Sequence, residues 1–148
     1  MKTLATLILA GMLMTACSTQ SAPSAAQLPQ QLSHWKAASG GAYLANARAL
    51  VGDTDRFKAD ATAGNAVAAL GDCVRLGLDV RAGRRLTLPP VPAAAQRFDR
   101  AYAALTAGAN DCISFLSDHV ASMGQRTGAA ITRGLNLYLS AVNSLPAS

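Results

Sequence analysis

Three cysteines, two histidines and a group of arginines are the residues of this chain most able to do chemistry. The thiols of Cys17, Cys73 and Cys112 can act as nucleophiles, join a disulfide or, once ionised, bind a metal. A structural metal site needs about four ligands, and neither Cys73 nor Cys112 has further ligands at suitable spacing, so no metal is expected. His34 adjoins Trp35, and His119 follows Cys112 at near-helical spacing. Either could serve as a general base, but a half-buried histidine satisfied by its neighbours is the plainer reading. Asp53 and Asp55 follow Gly52 and read as capping residues of a helix start. They do not open a calcium loop, because Lys58 stands where such a loop needs glycine. No serine sits in a Gly-x-Ser-x-Gly turn, and no phosphate loop or nucleic-acid signature is present. Gly124-Gln125-Arg126-Thr127-Gly128 is polar and reads as a turn. The inventory leads away from catalysis: no catalytic residue and no cofactor is assigned.

The basic residues are scattered, apart from Arg75, Arg81, Arg84 and Arg85. Cations suit the negative end of a helix, and Arg75 stands at helical spacing from Asp72 and Asp79. The alternative is an anion-binding patch. The formal net charge is +5, of which Lys2 supplies one. Such a balance favours contact with anionic surfaces, such as phospholipid head groups or cell-wall polymers, though it also serves plain solubility.

The N-terminus gives Cys17 a more definite role. Lys2 is followed by an apolar stretch from Leu4 to Met14, about eleven residues, as in the core of an export signal. A helix needs about 20 apolar residues to cross a bilayer core of about 30 Å, so this stretch is too short to span. Leu13-Met14-Thr15-Ala16-Cys17 then resembles the lipobox of bacterial lipoproteins, with Met14 where leucine is usual. The resemblance implies that residues 1–16 are removed and that the Cys17 thiol carries diacylglycerol. Two or three acyl chains hold a protein stably where one does not. An ordinary cleaved signal with an incidental cysteine is the alternative. Ser18, directly after the cysteine, is not the aspartate that retains such proteins at the inner membrane of enteric bacteria. The expected location is therefore the outer face of the plasma membrane, or an outer membrane where there is one. Residues 17–27 are small and polar, and read as a tether reaching on the order of 20 Å.

Residues 28–148 read as one helical domain. Alanine dominates and β-branched residues are few, which favours closely packed helices over a sheet. All eight acids are aspartate. A first helix carries Leu28, Leu32, Trp35 and Ala42 on one face, with Gly40-Gly41 expected to bend or break it. Gly52-Asp53-Thr54-Asp55 is expected to start a second helix that runs to about Ala82. Its stripe is Val67, Leu70, Val74 and Leu78, with Cys73 and Gly77 beside it, and Gly83 is its stop. Leu88-Pro89-Pro90-Val91-Pro92 is an extended connector, with Pro92 in the next helix's first turn. The third helix shows the clearest pattern: Phe98, Tyr102, Leu105, Ala109, Cys112, Leu116 and Val120, ending near Gly124. The fourth carries Ile131, Leu135, Tyr138, Val142 and Leu145. The fold class is all-α: a small four-helix, mostly antiparallel bundle stapled by one disulfide.

That disulfide is expected because an exported protein with two cysteines left after lipidation tends to pair them. Two unpaired buried thiols remain the alternative. A simple hairpin would misalign Cys73 and Cys112 by about 15 Å. The extended connector can reach up to roughly 26 Å and absorb that offset. Closing a loop of about 39 residues contributes roughly 4 kcal/mol in the chain-entropy model.

From about Ala61 to Leu116 the chain also resembles a pattern found in lipoproteins of actinobacteria. It rests on Cys73, Leu76, Asp79-Val80, Pro89-Pro90-Val91-Pro92, Phe98, Tyr102 and Cys112. The resemblance implies a disulfide-stapled helix pair and no activity. The expected partners are membrane lipid through acylated Cys17, and an envelope protein or an anionic polymer; nucleic acid is not among them. A non-enzymatic binding module is the leading reading, an anionic-surface binder the second, and an enzyme built on His119 the third.

Overall fold

The structure, a computed structural model, describes residues 24, 26–118 and 121–145. Its regular elements are α1 (Leu28–Trp35), a π-helical turn (Lys36–Gly40), α2 (Gly41–Thr62), α3 (Ala66–Gly83), α4 (Pro92–Asp118) and α5 (Ala121–Asn143). Among the described residues there is no strand. α1, the π turn and α2 form one continuous rod, because Gly40 and Gly41 both keep right-handed helical dihedrals. The expected four-helix bundle is therefore present, its first helix running from Leu28 to Thr62.

The expected break at Gly40-Gly41 is replaced by a change of register. A π turn adds one residue to a helical repeat. Trp35 is buried, and the position seven residues on, Ala42, would share its face in an unbroken α-helix. Instead Ala42 is exposed and Tyr43 is buried. The extra residue carries the aromatic inward.

The expected helix start at Gly52-Asp53-Thr54-Asp55 is also overturned, since all four lie inside α2. Thr54 caps nothing; its hydroxyl donates to the carbonyl of Leu50 at 2.8 Å, one turn back in the same helix. The true break is Ala63-Gly64-Asn65. Gly64 adopts φ 73°, which only glycine takes without strain. The Asn65 side chain then accepts from the backbone N–H of Ala68 at 3.2 Å and caps α3.

Neighbouring helices run antiparallel. In α2 and α3, Asn46 meets Asp79 while Arg56 meets Asp72. In α3 and α4, Gly83 abuts Tyr102 while Cys73 is bonded to Cys112, with Cα atoms 5.9 Å apart. In α4 and α5, Gly108 abuts Ile131 while Gly134 abuts Leu105. Tyr43 against Tyr138 closes α5 onto α2.

This alignment makes the part of α4 before Tyr102 overhang the end of α3 by about 15 Å, ten residues at helical rise. The connector climbs that distance, as the cysteine pairing requires. The Trp35 indole N–H donates to the Thr87 carbonyl at 2.6 Å and fastens the rod to the connector. Beneath lie Tyr43 and Phe98, with ring centroids 4.6 Å apart, then Tyr138 at 5.2 Å from Phe98 and Tyr102 at 5.4 Å from Tyr138. Each such contact adds about 1 kcal/mol beyond the area it buries.

α3 departs most from its expected face. Its buried residues are Ala69, Asp72, Cys73, Leu76, Val80 and Gly83. Val67 is 84% exposed, Val74 42% and Leu78 53%, so the stripe of larger side chains looks outward. The disulfide and the contact of Gly83 with α2 and α4 fix the inward face instead. α4 follows its pattern: Pro92 opens it, and Phe98, Tyr102, Leu105, Ala109 and Cys112 are buried. Leu116 is half-buried, and Val120 lies outside the described residues. Gly124 does not end this helix, because α5 already begins at Ala121. Gly124 to Gly128 is accordingly helix, not the expected turn. In α5, Ile131, Gly134, Tyr138 and Ala141 face inward, with Leu135 and Val142 half-buried beside them.

The α4–α5 contact depends on two missing side chains. A Cβ on Gly134 would stand 2.6 Å from Leu105 Cγ and 2.9 Å from its backbone nitrogen. A Cβ on Gly128 would meet nothing within 4 Å. Gly134→Ala should therefore lower stability by about 1–3 kcal/mol despite the better helix propensity. Gly128→Ala should raise it by about 0.5–1 kcal/mol. Thermal or urea unfolding of the two variants checks this, and equal effects of one sign would contradict the close approach.

Candidate functional site

The side chains picked out for chemistry do not gather in one place. Cys17 and His119 lie outside the described residues. His34 is exposed on α1. Cys73 and Cys112 are buried in their disulfide. Arg75, Arg81, Arg84 and Arg85 are all exposed along the end of α3 and into the connector. Arg81 Nε donates to the Gly77 carbonyl at 3.2 Å, so it serves the last turn of its own helix. The expected pairing of Arg75 with Asp72 and Asp79 is not formed. Asp72 instead meets Arg56 Nε from α2 at 3.6 Å.

Between α2 and α3 lies a polar group whose members look, taken singly along the sequence, like helix caps and surface pairs. Asp53 is 0% exposed and Asp72 3%. Arg56 donates to Asp53 through Nη2 and reaches Asp72 through Nε. Neither Asp53 Oδ2 nor Asp72 Oδ2 meets a hydrogen-bond donor. Each carboxyl meets another carboxyl instead: Asp79 stands by Asp53, and Asp60 by Asp72. Asp53 and Asp72 thus share one guanidinium, and each has a second carboxyl beside it. Asp53 and Asp60 are seven residues apart on α2, as are Asp72 and Asp79 on α3. Two such pairs on antiparallel neighbours must face each other, and that spacing was the available signal. Among the described residues no three acids, histidines or cysteines are grouped to hold a metal. A proton held between two carboxyls is what this arrangement favours.

A second polar group crosses the aromatic layer. Asn46 donates through Nδ2 to the Asp79 carbonyl at 2.8 Å and accepts from the Tyr102 hydroxyl at 3.2 Å. The Tyr138 hydroxyl donates to the Tyr43 carbonyl at 3.1 Å. Burial raises all three tyrosine pKa values, that of Tyr138 to about 12. These hydroxyls stay neutral at any ordinary pH; those of Tyr102 and Tyr138 serve as structural bonds, while that of Tyr43 is buried without a hydrogen-bond partner. A Cβ on Gly83 would stand 2.5 Å from the Tyr102 hydroxyl, so the network also requires glycine there.

The outer surface holds a groove of about 370 Å³ between α3 and α4. Val74, Gly77, Ala109 and Ile113 make its apolar wall, and Arg81, Thr106 and Asn110 its polar edge. Arg81 is its one charged lining residue. Among the described residues no helix is long and apolar enough to cross a membrane. No family model, curated protein or solved structure matches the chain.

The carboxyl cluster gives the fold an unusual response to acid. Burial, then contact with the Asp79 carboxyl, raises the Asp53 pKa from 3.8 to about 6, against the lowering pull of Arg56. Burial and Asp72 raise that of Asp60. The folded state therefore holds a proton that the unfolded chain releases. Stability from this source is fully present below about pH 4 and is lost as pH rises through about 6. The melting temperature should thus fall between pH 4 and pH 7 by more in the native protein than in Asp53→Asn, which keeps the neutral form at every pH. An unchanged pH slope in that variant would show that Asp53 is not the group responsible.

Proposed function

We propose that this chain is a membrane-tethered envelope lipoprotein, held by lipid on Cys17, whose domain acts by binding and not by catalysis. The observation that carries the anchor is Leu13-Met14-Thr15-Ala16-Cys17 behind a short apolar segment. The small polar run of residues 18–27 then spaces the domain from the lipid. The binding reading is supported by how the domain uses its reactive groups. Its thiols are spent in a disulfide, the hydroxyls of Tyr102 and Tyr138 in hydrogen bonds, and its buried carboxyls on neighbouring carboxyls and Arg56. What it offers outward is a set of arginines with an apolar stripe beside them.

Intact mass of the protein extracted from its native membrane tests the anchor. Loss of residues 1–16 with a diacylglycerol-sized addition at Cys17 is the expected result. Reduction should then add two hydrogens, from opening of Cys73–Cys112. A mass without lipid would overturn the reading.

A further inference from the structure

α3 is amphipathic twice over. Its inner face, through Ala69, Cys73, Leu76 and Val80, builds the core. Val67, Val74 and Leu78 repeat at helical spacing on the side turned away from it, all exposed. Leu88, 40% exposed, adds a fourth large apolar side chain just beyond the helix. Gly71 lies along this outer stripe and leaves it low, and the groove at Gly77 continues it toward α4.

The exposed charges of α3 and its connector are of one sign. Arg75, Arg81, Arg84 and Arg85 are exposed, and the buried Asp53 and Asp72 pair with Arg56 of α2 instead. The two acids of α3 are turned toward α2, Asp72 against Arg56 and Asp79 against Asp53. Packing has therefore removed the carboxylates that would balance the arginines on the outer face.

We propose that this outer face of α3 lies on an anionic lipid surface, with Val67, Val74, Leu78 and Leu88 at the acyl boundary and the four arginines among the phosphates. The inference rests on the membrane-tethered reading above and names the surface that the tethered domain meets. A second copy of the chain fits poorly, because a symmetric contact would bring guanidinium groups opposite their own kind. A folded protein partner fits poorly too. A stable interface buries about 800 Å² per partner over roughly 20 residues, and this stripe offers four apolar side chains. A lipid surface needs no such area: a shallow apolar row flanked by cations is what interfacial helices present. Arginine binds phosphate in bidentate fashion, which suits lipid headgroups.

Residues 24–148 contain every described element of the fold. They also omit the apolar leader and Cys17, either of which could enter lipid on its own account. This chain is sedimented with vesicles of phosphatidylcholine, or of phosphatidylcholine with phosphatidylglycerol. Three variants accompany it: Arg81→Ala with Arg84→Ala and Arg85→Ala; Val74→Asn with Leu78→Asn; and a charge-matched control, Arg97→Ala with Arg100→Ala and Arg133→Ala. All these positions are exposed, and circular dichroism verifies that each variant is folded. The expected result is retention on the anionic vesicles alone, reversed by salt. The α3 arginine variant should bind on the order of 100-fold less tightly, the Val74/Leu78 variant should also lose binding, and the control should change only a few-fold. Equal loss in the control would make this mere net charge and overturn the inference. Loss with the arginines but not with Val74 and Leu78 would point to an anionic polymer and equally overturn it. A lipidated mass with no vesicle binding would sink this inference while leaving the anchor standing. Binding with no lipid on Cys17 would do the reverse.

Discussion

The bundle hangs on a single aromatic layer. Five of the seven aromatic residues, Trp35, Tyr43, Phe98, Tyr102 and Tyr138, meet in it. Every helix contributes either a ring or the backbone that a ring or Asn46 binds. Alanine-rich helices bury little apolar area elsewhere, so this layer carries a large share of the packing. It also sets the register. Gly83 must lie against Tyr102, which places Cys73 level with Cys112 and leaves the start of α4 overhanging. The connector spans that overhang, and Trp35 at the end of α1 fastens it to the rod.

Features that depend on local pattern were legible in the sequence. α4 reads directly, because its large side chains recur on one face and proline opens it. Ile131 and Tyr138 are legible for the same reason. The cysteine pair could be placed once the connector's reach was counted. What was hidden depends on tertiary contacts. Nothing local announces that the rod stays continuous through Gly40-Gly41 and takes an extra residue, so Ala42 was assigned the place that Tyr43 holds. Gly52-Asp53-Thr54-Asp55 has the composition of a helix start. Its meaning changes because Asp53 faces Asp79 across a buried contact.

α3 shows most clearly how pattern and packing part. Its larger aliphatic residues form the better stripe, and they point away from the core. A face built from Ala69, Cys73, Leu76, Val80 and Gly83 is chosen because a disulfide and a tight glycine contact select it. The same rotation carries Asp72 and Asp79 toward α2 and leaves Arg75, Arg81, Arg84 and Arg85 outside. The buried carboxyl cluster and the basic outer surface are thus two results of one helix orientation. The first loads the α2–α3 contact with like charges that a proton relieves. The second sorts cations and exposed aliphatic side chains onto one surface.

The central claim is that α3 divides its apolar residues between a core and a membrane. A tryptophan introduced by Leu78→Trp tests it most directly, using fluorescence on vesicles that contain brominated phosphatidylglycerol. Trp35 is 6% exposed and serves as the internal reference. The account predicts that the new tryptophan shifts to the blue and is quenched by the brominated chains while the emission of Trp35 is unaltered. Emission from the new tryptophan that is unchanged by bound vesicles would show that the outer face of α3 meets something other than lipid.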